Sequence, residues 1–572
     1  MSTSHLSRAW LLLAAAMCFS CLNPHETVEA AETLVQGDET DLTDERRPIR
    51  GTTRMILFCF DGVGHEALVE AMGSGDMPKL AEALGLQDDG SFAHAFAHPK
   101  VLSILPSTTV ASWSAIFTGQ GPAHTGITGN EQLVRDGEDG PVFFAPAPVT
   151  VTDMSQVMDT VNDGAVGGYV QVPTFYEQAD LRAHVSLAHL HRGADIFTLP
   201  GGADLAQVFA VFLAGTFDGD DETGAMAVYR ELDEESIDSV LEEVGDAGIP
   251  DIQTLYFPGV DLFTHVADPA LDEQKRYLKE VLDAQIGRVL DTWREAGALE
   301  DTYLVFTADH GHTPVLQDDR HSLAVDEDDE PTALIESLGF RLRDYDVGED
   351  DDPTFQAAVA YQGAFAYVYL ADRSKCPEED DECDWRAAAR LDEDVLPVAR
   401  AFYRANETGE GLEALQGTLD LVLAREPRPV GEDSLPFQVF DGERLVPIGE
   451  YLRAHPRPDL LAFEERLRDL AAGPFGHRAG DVLLMARTGI DRPIEERFYF
   501  SGPYHSWHGS ATEQDSHVPV IVGRPGADGA RIAARVRSAM PARFEGGWAS
   551  HLDFTPMLLS LLAEGEHAPQ TR

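Results

Sequence analysis

Continuous apolar runs of strand length alternate along this chain with helical patterns, and no other feature limits its possible folds as tightly. Met55 to Phe60 reads MILFCF and is followed by DGVGHEALVEAM, a turn and then a helix. In TFYEQ, Thr174 and Glu177 stand at capping-box spacing, and HVSLAHL after it predicts a second strand. Asp233 to Val244 reads as a helix and IQTLYF as another buried strand. From Leu278, the residues Leu278, Val281, Leu282, Ile286, Val289, Leu290 and Trp293 fit one helix face, directly before the strand run YLVFTADH, Tyr303 to His310. Repeated alternation of this kind predicts an α/β fold: a largely parallel central sheet with helices on both faces, a three-layer sandwich with its sites at strand ends.

With 99 Asp and Glu against 42 Lys and Arg, the formal charge of -57 repels polyanions, so neither nucleic acid nor an anionic membrane surface is an expected partner. Most of this charge reads as a solubility device spread over the surface. A hydrophobic content of 43% belongs to a globular protein. Residues 1–21 have the layout of a secretory signal, with Arg8 ahead of an apolar stretch too short to span a bilayer comfortably. Two processing patterns fit it. Cys21 resembles a lipoprotein site, which would leave a lipid anchor, whereas a Val-x-Ala site ending at Ala30 would release a soluble protein. Either way the chain is expected to be exported, to the periplasm, the outer membrane or the medium. Cys59 reads as a buried thiol, and Cys376 and Cys383, which flank six residues in CPEEDDEC, as a small disulfide.

Residues 22–50 are polar and acidic and read as a linker. A core of 51–315 follows. After Pro314 the texture changes to DEDDEPTALIE, DYDVGEDDDP and CPEEDDECDW, so 316–475 reads as an acidic insertion or cap containing some strands, such as AFAYVYL. Core texture returns over 476–572 with GDVLLMA, VPVIVG and the terminal helix DFTPMLLSLL. No internal repeat is present.

Polar residues gather where the strands end. Asp61 closes the first strand before Gly62; Asp261 and His265 follow LYF four residues apart, on one face of a helical turn. Asp309 and His310 close YLVFTADH, and His508 stands before Gly509, upstream of VPVIVG. On a regular strand Asp309 and His310 would point to opposite faces, so their joint use requires the chain to leave β geometry, which Gly311 permits. Between these regions LPSTTVASWSAIFTGQ opens a helix near Thr109, and a helix N-terminus favours an anion such as phosphate. Ser107, Thr108 or Thr109 could equally serve as its N-cap.

The ordered set FDG, PSTT with TG nine residues on, GITGN, DxxxH, ADHG and HG resembles the alkaline phosphatase superfamily, closest to its type I phosphodiesterase and nucleotide pyrophosphatase branch. It covers roughly Arg54 to Pro314 and Ala479 to the C-terminus. The resemblance implies two divalent metal ions, usually zinc, with Asp61, Asp309, His310 and the nucleophile Thr109 on one, and Asp261, His265 and His508 on the other. Thr109 is the implied nucleophile because relatives place it nine residues before the Thr of the TG pair, here Thr118. It also implies a phosphothreonine intermediate. The chemistry is consistent: three N and O ligands per ion suit catalytic zinc, two ions about 4 Å apart clamp an in-line displacement, and coordination activates a hydroxyl. The same ligand types suit manganese and iron.

Ser112 stands where diesterase relatives often carry Asn. Asn130, in GITGN, matches a phosphate-contacting Asn of some monoesterase relatives, and Arg192 in HLHRGAD offers a cation; both are substrate-binding candidates. His312 and His505 read as supporting or substrate-side residues. No CxPxR sequence of the sulfatase kind is present. The expected activity is hydrolysis of a small phosphorylated substrate, a diester or nucleotide-like compound. The alternatives are a phosphate monoesterase and a non-catalytic metal- or partner-binding surface protein.

Overall fold

A computed structural model describes residues 39–43, 46–50, 53–137, 140–146, 164–200, 222–324, 331–343 and 354–563. The leader, most of the linker and the acidic stretches 325–330 and 344–353 lie outside the described residues. Two sheets organise the rest. The central one contains β1 (Glu39–Asp41), β2 (Arg54–Phe60), β3 (Ala95–Ala97), β4 (Ala183–Ser186), β5 (Ile196–Thr198), β6 (Ile252–Phe257) and β7 (Thr302–Ala308). The second contains β8 (Ala357–Gln362), β9 (Phe365–Leu370), β10 (Leu419–Ala424), β11 (Gln438–Phe440), β12 (Leu445–Pro447) and β13 (Val482–Ala486), and β14 (Val520–Gly523) returns to the first.

The order of the central sheet is β1-β5-β4-β6-β2-β7-β14-β3. Its middle strands pair in parallel, β5 with β4, β4 with β6, β6 with β2 and β2 with β7, while β1 and β14 run antiparallel to their neighbours. Every residue of β6 and β7 is buried, as is every residue of β2 after Arg54. Burial at consecutive positions means that both faces are covered, which is why these strands read as unbroken apolar runs. The helices α1 (His65–Ser74), α2 (Thr109–Ile116), α3 (Glu222–Ala247), α4 (Gly259–Val266), α5 (Asp283–Glu295) and α7 (Phe554–Leu562) fill the outer layers, with α6 (Leu396–Thr408) lying in the insertion. The capping box at Thr174 and Glu177 forms as expected.

The insertion builds a six-stranded antiparallel sheet, β8-β9-β13-β10-β11-β12. Alternate residues of β9 serve different cores. Phe365, Tyr367 and Tyr369 join the core of the catalytic body, whereas Ala366, Val368 and Leu370 pack with Val398, Ala399 and Phe402 of α6. The sheet is therefore sandwiched between α6 and the body. One boundary differs from the sequence reading: GDVLLMA, assigned there to the returning core, is β13, between β9 and β10 of the second sheet. A strand covered on both faces has the same apolar texture in either sheet, so composition could not place it. Cys376 and Cys383 form the expected disulfide, and Cys59 is a buried free thiol. Among the described residues no helix is long and apolar enough to cross a membrane.

Candidate active site

Strand register brings the site together. Phe60, Ala308 and Phe257 end three adjacent parallel strands in line, since Phe60 pairs with both of the others. The segments that leave these strands therefore emerge side by side: Asp61 after β2, Asp309 and His310 after β7, and Asp261 with His265 on α4 after β6. The antiparallel β14 begins at this same edge, with Val520 opposite Thr307, so the loop bearing His508 enters from above it. β3 also ends here and leads to α2 and Thr109.

Two contiguous clusters result. The ligand-type atoms of Asp61, Asp309 and His310 lie within 4.8 Å of one another, as do those of Asp261, His265 and His508. His310 Nε2 stands 3.3 Å from both Asp61 Oδ1 and Asp309 Oδ2, and 3.2 Å from Thr109 Oγ1. His265 Nε2 is 3.4 Å from Asp261 Oδ2, and His508 Nε2 is 4.0 Å from Asp261 Oδ1. The rings of His310 and His508 stack at 3.5 Å and join the clusters. All seven side chains are buried or nearly so.

The remaining atoms of these residues are committed to the protein. Nδ1 of His265 bonds Ser506 O at 2.8 Å, Nδ1 of His508 bonds Ser107 O at 3.0 Å, and Nδ1 of His310 bonds Gly311 O at 3.2 Å, which turns each Nε2 toward the centre. Asp309 Oδ1 accepts from the backbone N–H of Gly62 and of His310, at 3.1 and 3.0 Å. Tyr256 donates its hydroxyl to Asp61 Oδ2, and His312 Nε2 meets Asp261 Oδ1 at 2.7 Å. Asp61 Oδ1, Asp309 Oδ2, His265 Nε2 and His508 Nε2 are left buried without a hydrogen-bond partner. Orphaned buried polar atoms are costly, and four converging N and O donors with ordered outer partners are what a dinuclear cation site requires. The residues present fit the metal pair.

Electrostatics point the same way. Burial, with Asp309 and Asp261 nearby, pushes the Asp61 carboxyl well above the ordinary range, and burial raises Asp309 too. Burial, with His310 beside it, pushes His508 well below the usual imidazole value, and burial lowers His312 to about 4. Asp261 behaves differently. Burial alone would raise it, but His265 and His312 outweigh that and hold it low. Asp61 and Asp309 thus resist charging and His508 and His312 resist protonation, and a bound cation would favour the deprotonated form of each ligand.

Some details correct the sequence reading. β7 stops at Ala308, so Asp309 and His310 already lie beyond the ladder. Gly311 is not in the left-handed region; it supplies room instead, because a Cβ there would sit 2.3 Å from Gln514 O. Gly62 is the left-handed residue, with φ +67°, and its Cβ would lie 2.4 Å from His312 Nε2. Asn130 does stand beside α2, and its Oδ1 accepts from Val110 N at 3.0 Å and so caps the first turn of that helix. Thr108 occupies the N-cap position without a side-chain cap bond. Arg192, the other substrate-binding candidate, is engaged by the protein itself. Its guanidinium binds the carbonyls of Gly167, Val170 and Val172 at 2.6 to 2.7 Å and pairs with Glu177, which makes it a latch between loops. His312 meets Asp261, and the ligand-type atoms of Asp261, His310 and His312 also lie within 4.8 Å of one another. Tyr256 was missed by sequence reasoning, although its place one residue before the end of an apolar strand was a usable signal.

Adjoining carboxylate and imidazole clusters with a hydroxyl beside them, at the carboxyl edge of a mostly parallel sheet, suit metal-dependent phosphoryl transfer. The model of the type I phosphodiesterase / nucleotide pyrophosphatase family matches residues 55–424, and the chain belongs to that family, within the alkaline phosphatase superfamily. It is a hydrolase acting on phosphoester bonds. Among solved structures it is similar to murine ectonucleotide pyrophosphatase / phosphodiesterase 5, at 11% identity over 89% of this chain and 95% of that one, with a TM-score of 0.47. It is also similar to phosphonoacetate hydrolase from Sinorhizobium meliloti 1021, solved with phosphonoformate, at 18% identity over 92% of this chain and 100% of that one, TM-score 0.43. No curated protein matches the chain.

Proposed function

We propose that the protein hydrolyses phosphate diesters or nucleotide-like esters through Thr109, with two divalent ions, zinc by preference. Asp61, Asp309 and His310 would hold one ion beside Thr109, and Asp261, His265 and His508 the other. The bound ions would supply what the chain lacks: a lowered hydroxyl pKa and stabilisation of phosphoryl charge. Thr109 Oγ1 then forms the O–P bond as the bond from phosphorus to the leaving oxygen breaks; water later cleaves the phosphothreonine. The N-terminus of α2 faces the anion with its positive dipole end, and Asn130 holds that first turn in place. The reading extends to an exported enzyme, which the disulfide Cys376–Cys383 supports as a feature of oxidising compartments.

The observation that carries this reading is the set of four buried atoms without a hydrogen-bond partner, Asp61 Oδ1, Asp309 Oδ2, His265 Nε2 and His508 Nε2, together with the Thr109 hydroxyl 3.2 Å from His310 Nε2. The test combines metal analysis of the purified protein with turnover of a bis-nitrophenyl phosphate diester and the mono-nitrophenyl ester. Two ions per chain, preference for the diester, and loss of about three or more orders of magnitude in Thr109→Ala with metal retained are expected. Unimpaired turnover in Thr109→Ala, or a protein that binds no divalent ion, would remove the proposal; dominance of the monoester would make it a monoesterase.

A further inference from the structure

The first hairpin of the insertion reaches into the catalytic body. Between β8 and β9 the chain turns at Gly363, φ +66°, where a Cβ would lie 2.3 Å from the carbonyl oxygen of His508. Ala364 N donates to that carbonyl at 3.2 Å. Beside this turn stands Gln362, the last residue of β8, fully buried. Its Oε1 accepts from Asn130 N at 2.7 Å and its Nε2 donates to Glu131 O at 2.6 Å. The approach is too close for any side chain at Gly129, whose Cβ would lie 1.9 Å from Gln362 Oε1. Asn130 Oδ1 in turn holds Val110 N, next to Thr109. A continuous run of contacts thus leads from the insertion to the hydroxyl.

We propose that Gln362 is a positioning residue for the reaction, fixing the peptide around Asn130 and through it the first turn of α2. The proposal rests on the reading of Thr109 as the nucleophile. An amide suits this place because it accepts from one backbone group and donates to the next. Glutamate keeps only the acceptor, and methionine keeps the shape with neither. A buried N–H and C=O left without partners must shift to find others, and Asn130 moves with them. The insertion then has a definite role in the reaction, since its hairpin tip touches both the nucleophile side, through Asn130, and the opposite cluster, through His508.

The test uses the full-length metal-loaded protein and the variants Gln362→Met, Gln362→Glu and Thr109→Ala, with diester kinetics, metal analysis and hydrogen exchange of the peptide spanning 107–131. Displacement of a reacting group by about 1 Å costs on the order of 100-fold, so Gln362→Met should lose about 10- to 100-fold in kcat with a smaller change in KM. Two ions should remain, exchange over 107–131 should quicken, and Gln362→Glu should fall between Met and wild type. A folded Gln362→Met with wild-type kcat, or unchanged exchange, overturns the proposal. If Met prevents folding, the same two readings on Glu decide it. Wild-type turnover that does not depend on Thr109 would sink the functional reading instead, and exchange over 107–131 would still judge Gln362.

Discussion

Asp233 lies outside the metal clusters but under the helix that carries one of them, and its titration gives a sharp prediction. It is fully buried on α3, accepting from Gly259 N at 3.3 Å where α4 begins, two residues before Asp261. Tyr277 has one hydroxyl proton and two neighbours for it: Tyr229 O at 2.8 Å and Asp233 Oδ2 at 2.9 Å. A carbonyl can only accept, so both contacts are satisfied together only if Asp233 carries its own proton and donates to the phenol oxygen. Burial accordingly pushes Asp233 up to about 7, partly opposed by Tyr277 and Gly259. The sign comes from linkage. A folded-state pKa raised above the unfolded one near 4 favours the folded state fully below pH 4, and that contribution fades as pH rises through about 7. At about 1.4 kcal/mol per pH unit, the fade between pH 5 and pH 8 is on the order of 3 kcal/mol. Asp233→Asn mimics the neutral acid, donor included, and has no proton to lose. Denaturant unfolding at both pH values should show the variant gaining on wild type by roughly that amount at pH 8. A stability difference that stays constant across the range would refute the assignment.

Three further outcomes concern the site and its surroundings. Tyr256→Phe removes the donor on Asp61 Oδ2, and loss of such an outer partner lowers metal affinity by about 10- to 100-fold; chelator competition measures it, and equal affinities would contradict the contact's role. Acidification should release metal from the cluster of Asp61 and Asp309 before that of Asp261 and His508, because burial raises the first two carboxyls while His265 and His312 hold Asp261 low and burial lowers His508. Metal content followed during titration, with Asp61→Asn as comparison, checks that order; earlier loss from the cluster of Asp261 and His508 would reverse it. Arg192→Met should lower the unfolding midpoint by unpairing three carbonyls while leaving KM for the diester within about twofold, since the guanidinium serves loops rather than substrate. A tenfold rise in KM with unchanged stability would return Arg192 to the substrate.

The class of fold, the six Asp and His candidates at strand ends and the disulfide could be read from residue order for physical reasons, whereas Thr109 was set apart from Ser107 and Thr108 only by the family resemblance. Strands covered on both faces must be apolar throughout, so MILFCF, IQTLYF and YLVFTADH announce a parallel sheet, and parallel register then forces Asp61, Asp261 and Asp309 to one edge. Helical spacing similarly puts Asp261 and His265 on one face. Tertiary contact decided the rest. Pairing with β9 and β10 placed β13 in the second sheet, because an apolar texture from burial on two faces does not record which neighbour supplies it. Arg192 carries a charge that could serve a phosphate or a set of carbonyls, and only the fold shows the three carbonyls that gather around it. Tyr256, Asp233 and Gln362 act through partners tens to hundreds of residues away, and pairings at that distance leave no periodicity or spacing in the chain itself.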